Sequence, residues 1–484
     1  MFAGYFFSTG DPFLANSATP GRSLCLRLTF AYGMMVYSGL MAGTRTIRFD
    51  PRDLIMSPYL TCPKCGKGTY GVLDVHSNRC QRRCRECWHT SHVPLPKLTK
   101  KIVYVDQFAY SNILKMLCPD VQGHEGAVSD PFWKELFETL GVVRHLQLVA
   151  FPDSREHHNE TLTSPFGELL KSTYEYFSCG ESFIHAEGIK IRQIGQAANC
   201  WLNNEPLVFD LNAEKISSGR LHDWDGRMYI TVDGVLPGTV QGLRTSRNRT
   251  HTALQDVFAQ WQVEKKSFKE VYTAEKSSHR QALIGGYVQQ MNRRAQMARR
   301  IASGQIPTYD LETLNEMMPS WEENQMFSLQ QHFVIHAQDE KNGLERLGAF
   351  LRSDAIDNTP FNLVGAAMFA SLSRKAASGQ KRIPSQGMAN DVEVISALLP
   401  YCDAMFVDNE CRELLRAIPK ESKPPFRCQV FSYNTRAEFI RYLTDIRDSV
   451  SPEHLKLLEQ VYGPDPLKPP TSIYGVNRGR KGVA

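Results

Sequence analysis

Asn390-Asp391-Val392-Glu393-Val394-Ile395-Ser396-Ala397-Leu398-Leu399-Pro400-Tyr401-Cys402-Asp403-Ala404-Met405-Phe406-Val407-Asp408-Asn409 is the stretch whose reading decides the fold. An acid, Asp391, opens a helix-like run over 392–401. The short apolar run 404–407 then ends by delivering a second acid, Asp408, to the same end of the unit. A helix followed by a brief, fully apolar strand is the pattern of a parallel sheet covered by helices.

The same pattern occurs earlier in the chain. Lys101-Ile102-Val103-Tyr104-Val105 is rich in β-branched and aromatic residues, ends in Asp106 and passes into a helix-like run over 107–115. A further strand-like run, 146–151, is followed by Pro152-Asp153-Ser154-Arg155-Glu156-His157-His158-Asn159-Glu160. Ser154 suits a helix N-cap, and Glu156 and Glu160 share one helical face at i, i+4. In open α/β sheets ligands bind at the carboxyl edge of the strands, which is where these acids fall. Several carboxylates packed together repel one another and lose hydration, so Mg²⁺ or Mn²⁺ is their natural partner. An aspartate at a strand-to-helix junction also serves as a helix cap, and Asp403 is read in that structural way. His157 and His158 are read as hydrogen-bonded support for the acids.

On these residues the chain resembles the PIN-like nuclease superfamily. The first acid matches Val103-Tyr104-Val105-Asp106, and the second matches Pro152-x-Ser154-x-x-His157-x-x-Glu160. Asn390-Asp391 and Asp403-Ala404-Met405-Phe406-Val407-Asp408 match the third and fourth. The resemblance implies that Asp106, Glu160, Asp391 and Asp408 hold one or two divalent cations that activate water to cut a phosphodiester, usually in RNA. It covers roughly 100–165 and 380–435. The gap from Glu160 to Asp391 exceeds that of a minimal PIN domain, so a large insertion is expected, helix-like near 165–187, 252–303 and 311–350, with a strand pair near 205–235. Gly285-Gly286 is expected to kink or break the long helix. Glu156 competes with Glu160 for the second position, and the Pro-x-Ser-x-x-His spacing favours Glu160.

A second motif lies upstream. Cys62-Pro63-Lys64-Cys65-Gly66 and Cys84-Arg85-Glu86-Cys87-Trp88 are two Cys-x2-Cys pairs separated by 18 residues. Each pair sets two thiolates in one tight turn, the arrangement of a zinc ribbon with a closed, structural Zn²⁺ site. Cys80, His76, His89 and His92 are nearby alternatives, and Cys80 is read as a bystander. The other cysteines are scattered singly through apolar segments, as reduced core residues are, which points to the cytoplasm.

Net charge is only +5, so no global attraction to polyanions follows. Arginine groups at 79–85 and 293–300 and a basic tail are local candidates for phosphate contact, with a solvated face as the plainer reading. Residues 1–44 carry only three charged side chains, Asp11, Arg22 and Arg27. Arg27, Gly33 and Gly39 interrupt the apolar run 24–41, so no membrane span is expected. Translation starting at Met41 is the favoured reading; a packed or disordered extension and a targeting segment stay open.

The expected architecture is therefore an extension at 1–54, a zinc ribbon at 55–95 and a PIN-like α/β domain in two parts, 96–165 and 381–470. A mainly helical insertion at 166–380 separates the two parts, and a basic tail follows at 471–484. The expected function is divalent-metal-dependent hydrolysis of RNA or single-stranded nucleic acid, in the manner of a toxin or defence effector with an antitoxin or other protein partner. The alternative is a non-catalytic nucleic-acid-binding or assembly protein with a zinc ribbon and a degenerate PIN-like fold.

Overall fold

Lys101–Val105 is the central strand of a four-stranded parallel sheet, ordered Gln429–Phe431, Ala404–Phe406, Lys101–Val105, Val149–Ala150. The computed structural model describes residues 25–30, 50–119, 130–226, 228–233, 239–305 and 321–464. The register pairs Val103 with Ala404, Tyr104 with Met405 and Val105 with Phe406, and Gln429 with Ala404 on the other side. Because side chains alternate along a strand, the central strand feeds two cores. Ile102 and Tyr104 join Met405 and Val407 beneath the helices Met388–Leu398 and Pro360–Ala377. Val103 and Val105 join Ala404, Phe406 and Phe431 beneath Gln107–Leu117, Pro131–His145 and Arg436–Asp448. Helices on both faces explain why these strands are continuously apolar.

Asp403 sits at the opposite edge of the sheet from Asp408. Its carboxylate accepts the Ile102 N–H at 2.9 Å and pairs with Lys101 at 2.8 Å, tying two strand starts together. The structural reading of Asp403 follows from those contacts.

Four antiparallel strands, Met56–Leu60, Tyr70–His76, Arg79–Cys84 and Thr90–Pro94, form a separate small sheet. Its Val72, Val75 and Cys80 pack with Leu95 and Leu98 against Val142, Leu146, Trp224, Leu458 and Tyr462. Cys80 thus belongs to the core between this module and the main domain.

The segment between Glu160 and Asp391 is mainly helical, with several boundaries differing from expectation. Gly167–Ser178 ends where Cys179 and Gly180 turn left-handed, with φ of 53° and 81°, and Ala186–Leu202 then follows. The long pattern breaks at Lys265, with φ 49°, between Thr239–Glu264 and Phe268–Ala302; helix continues through Gly285-Gly286. Ser267 and Glu270 form a reciprocal capping box there, two backbone donors satisfied at once, which fixes the new start. Trp321–Ala337 and Glu340–Arg352 pack with Phe268–Ala302 and Ala186–Leu202 around Leu283, Phe333 and Phe350. Among the described residues, the expected strand pair near 205–235 is one strand, Met228–Asp233, whose antiparallel partner is Cys25–Phe30 from the N-terminal stretch. The tail at 471–484 and residues 31–41 of the apolar run lie outside the described residues. Among the described residues no helix is long and apolar enough to cross a membrane.

Candidate metal centres

The parallel register brings the strand-end acids together. The Asp106 N–H donates to the Phe406 carbonyl at 3.0 Å, and the Val407 N–H donates to that of Phe431 at 3.0 Å. The chain therefore leaves adjacent strands at one edge, with Asp106 and Asp408 one residue out of step. Both also cap the helices that follow. Asp106 Oδ1 accepts the Gln107 N–H at 2.8 Å, and Asp408 Oδ1 accepts the Cys411 N–H at 2.7 Å. A cap bond occupies one oxygen, so capping leaves the second oxygen for another partner.

Asp391 arrives differently. Its helix begins at Met388, four residues before the expected Val392, and ends at Leu398. The Asp391 N–H donates to the Gly387 carbonyl at 3.0 Å, so Asp391 lies inside the first turn instead of capping it. Its carboxylate folds over Gly387, where a Cβ would stand 3.4 Å from Oδ2.

Asp106, Glu156, Glu160, Asp391 and Asp408 line one pocket with Tyr104, His157 and Asn390. Within it, ligand atoms of Asp391, Asp408 and Cys411 lie within 4.8 Å of one another. Asp106 and Glu160 are not in that closest set but act on it electrostatically. Burial, then Glu160 and Asp408, raise the Asp106 carboxyl to about 8. Burial, then Asp106, Asp408 and Glu160, hold Asp391 well above the usual carboxylate range. Such shifts are the signature of carboxylates confined together away from water.

The two glutamates part company here. Glu160 is raised by burial and lowered by Arg247, whose Nη2 lies 2.7 Å from Oε1. Glu156, raised to about 7 by burial and by Glu393, turns toward His185 at 3.6 Å. It is Glu160 whose charge acts on both Asp106 and Asp391.

His157 is structural. Its Nδ1 accepts the Ser154 N–H at 3.2 Å while Ser154 Oγ accepts the His157 N–H, and its ring stacks on Tyr104 with centroids 5.2 Å apart. Burial, then His158, lowers it to about 3, so it stays neutral at every physiological pH. His158 reaches the buried Asp153 at 3.4 Å.

Sequence reasoning missed Cys411 and Arg247. Cys411 was findable, since it stands three residues after the capping Asp408, where a helix returns to the same face. Arg247 carries no local signal, because only folding of the helical segment brings it to Glu160.

The sulfurs of Cys62, Cys65, Cys84 and Cys87 lie within 4.8 Å of one another, close enough to hold one metal ion, as zinc requires. Two matching turns build the group. The Gly66 N–H donates to Cys62 O and the Trp88 N–H to Cys84 O, and both residues are left-handed, with φ of 74° and 59°. Burial opposes ionisation of Cys84, yet the backbone N–H groups of Cys87 and Glu86 and the Thr69 hydroxyl bring it down to about 6. Cys65 accepts from the Lys67 backbone; burial and the Cys87, Cys84 and Cys62 thiols nevertheless push it up to about 12. Four sulfurs this close cannot all be thiolates without a cation, which is what a metal supplies.

One of the flanking arginines ties the module to the main domain. Arg82 is buried and donates to the carbonyls of Pro58 and Gln460, joining the module to the Pro452–Tyr462 helix. Arg293, Arg299 and Arg300 are exposed near the end of Phe268–Ala302, a solvated face. In comparisons with family models, curated proteins and solved structures, nothing matches this chain.

Proposed function

We propose that this protein is a PIN-like, divalent-metal-dependent ribonuclease carrying a structural zinc ribbon. The observation that carries the reading is the acid pocket. Asp106, Asp391, Asp408 and Glu160 come from four separate segments to the carboxyl edge of one parallel sheet, where burial and then neighbouring carboxylates raise Asp106 and Asp391. A fold keeps such mutually repelling groups at a functional site, because a core gains no stability from them. Mg²⁺ or Mn²⁺, when bound, would neutralise the carboxylates and supply water activation for phosphodiester hydrolysis. Asp391 and Asp408, with Asp106, would hold the cation, and Glu160 would complete the set when released from Arg247.

Cations near the strand-end acids support a polyanionic substrate. Arg247 lies on one side, and Lys375 and Arg382 act on Glu410, two residues beyond Asp408. Phosphates of a single strand would meet these charges as they approach the acids. The Glu160–Arg247 pair also favours a second reading, a non-catalytic nucleic-acid-binding protein in which an internal cation has replaced the metal.

One experiment separates the two. Purified protein is titrated with Mn²⁺ and incubated with single-stranded RNA, alongside Asp106→Asn and Asp391→Asn. The nuclease reading expects metal-dependent cleavage that falls by at least about a hundredfold in both variants, with folding intact. Cleavage unchanged in both, or wild-type protein that neither binds divalent metal nor cuts, leaves the binding protein as the account.

A further inference from the structure

One surface of the cysteine module carries rings interleaved with cations. Tyr59 is 39% exposed, Leu60 49% and Trp88 41%, large apolar groups that the fold covers only in part. Guanidinium groups stand over the two rings. Arg52 and Arg83 lie 5.9 and 5.8 Å from the Trp88 ring centre, and Arg85 lies 5.4 Å from that of Tyr59. Arg85 Nε donates to the Arg52 carbonyl at 3.0 Å, so the two halves form one continuous ladder of rings and cations. Between residues 50 and 99 eight Lys and Arg face four Asp and Glu, which makes the module basic although the whole chain is nearly balanced.

The backbone holds Trp88 for display. A left-handed residue is required after each Cys-x2-Cys turn, and the first turn meets that need with Gly66. The second spends it on tryptophan, whose bulk makes a positive φ costly. The ring contributes nothing to the core clusters, in contrast to buried Trp224 and Trp133.

We infer that the Tyr59–Arg85–Arg52–Trp88–Arg83 ladder is a docking platform for single-stranded RNA, with bases stacking on the indole and phenol rings and the guanidinium groups pairing with phosphates. Rings interleaved with cations suit a single strand, because every base offers a π-face and every step carries a charge. A protein partner would not need the charge excess. The inference rests on the ribonuclease reading for the choice of RNA, but the platform is separate from the acid pocket and binds without cutting.

The test is fluorescence anisotropy of a short labelled oligouridine on full-length, zinc-loaded protein carrying Asp391→Asn, so that no cleavage intrudes. Trp88→Asn removes the ring but keeps a residue that tolerates left-handed backbone, and Trp88→Phe keeps a ring. Binding should weaken about fivefold or more in Trp88→Asn and stay within about twofold in Trp88→Phe. Arg83→Met should reduce the salt dependence of binding by about one phosphate contact. Zinc content equal to that of the parent shows that the turn survives. Trp88→Asn with full zinc and unchanged binding overturns the platform, as does a parent that binds no RNA. Failure of the nuclease reading looks different: protein with intact acids cuts nothing, while ring-dependent binding persists.

Discussion

Asp403 and Asp408 lie five residues apart on one strand unit, yet they meet opposite fates because they leave at opposite edges of the sheet. Asp403 ties Lys101 and the Ile102 N–H, so Asp403→Ala should cost about 1–2 kcal/mol in denaturant unfolding, part of the ion pair being screened by water. RNA cleavage should stay at the wild-type rate; a loss of cleavage in well-folded protein would put Asp403 in the site. Asp106 gives a prediction of the other kind. Its folded carboxyl titrates near 8 against an ordinary 3.8, so the folded state holds a proton that the unfolded chain has released. Stability from that proton is present at low pH and lost as pH rises from about 4 to about 8. In chelator, the melting temperature of wild type relative to Asp106→Asn should therefore fall across that window, and Mn²⁺ should restore it. Parallel profiles for the two proteins would show that the carboxyl is not held protonated.

At the scale of elements, the cysteine module depends on its two turns. Its strands are short, and its buried residues Val72, Val75 and Cys80 face the main domain instead of forming a core of their own. Metal ligation by the four cysteines would then be the principal source of its local stability. Cys62→Ser and Cys87→Ser should each lose the single zinc per chain by elemental analysis and expose the Val72–Leu95–Leu98 surface, with lower solubility. Full zinc content in either variant would exclude that residue as a ligand. The break between Thr239–Glu264 and Phe268–Ala302 carries a related lesson. Ser267-x-x-Glu270 is a legible start signal, whereas Gly285-Gly286 is tolerated because neighbouring helices supply the stability that glycine withholds.

Across the whole molecule, the helical segment between Glu160 and Asp391 reaches the acid site at Glu160 and its neighbourhood at Glu393. Arg247 pairs with Glu160, and Lys190 pairs at 2.5 Å with Glu393, two residues from Asp391. The Arg247 charge opposes a cation in the pocket and attracts a phosphate at its rim. Arg247→Met should accordingly raise Mn²⁺ affinity severalfold in a metal titration and raise KM for RNA, with the fold preserved. If both quantities stay unchanged, the pair is a surface contact with no bearing on the site.

What the sequence by itself determined is local. The strands before Asp106 and Asp408, the helices behind them and the paired Cys-x2-Cys turns follow from residue type, capping and spacing, and 101–105 appears where its β-branched and aromatic residues put it, whereas the expected strand over 146–151 is only Val149–Ala150. The mixed α/β class with a parallel sheet between helices follows from the same signals. The tertiary structure decided what depends on register and long-range packing. Pairing Val105 with Phe406 sets Asp106 beside the strand that leads to Asp408, a one-residue slip would have separated them, and no local pattern encodes that choice. It likewise put Cys411 against Asp391, turned Glu156 toward His185 and brought Arg247 to Glu160. Electrostatic partners are chosen by distance in space, and the 87 residues from Glu160 to Arg247 carry no trace of it.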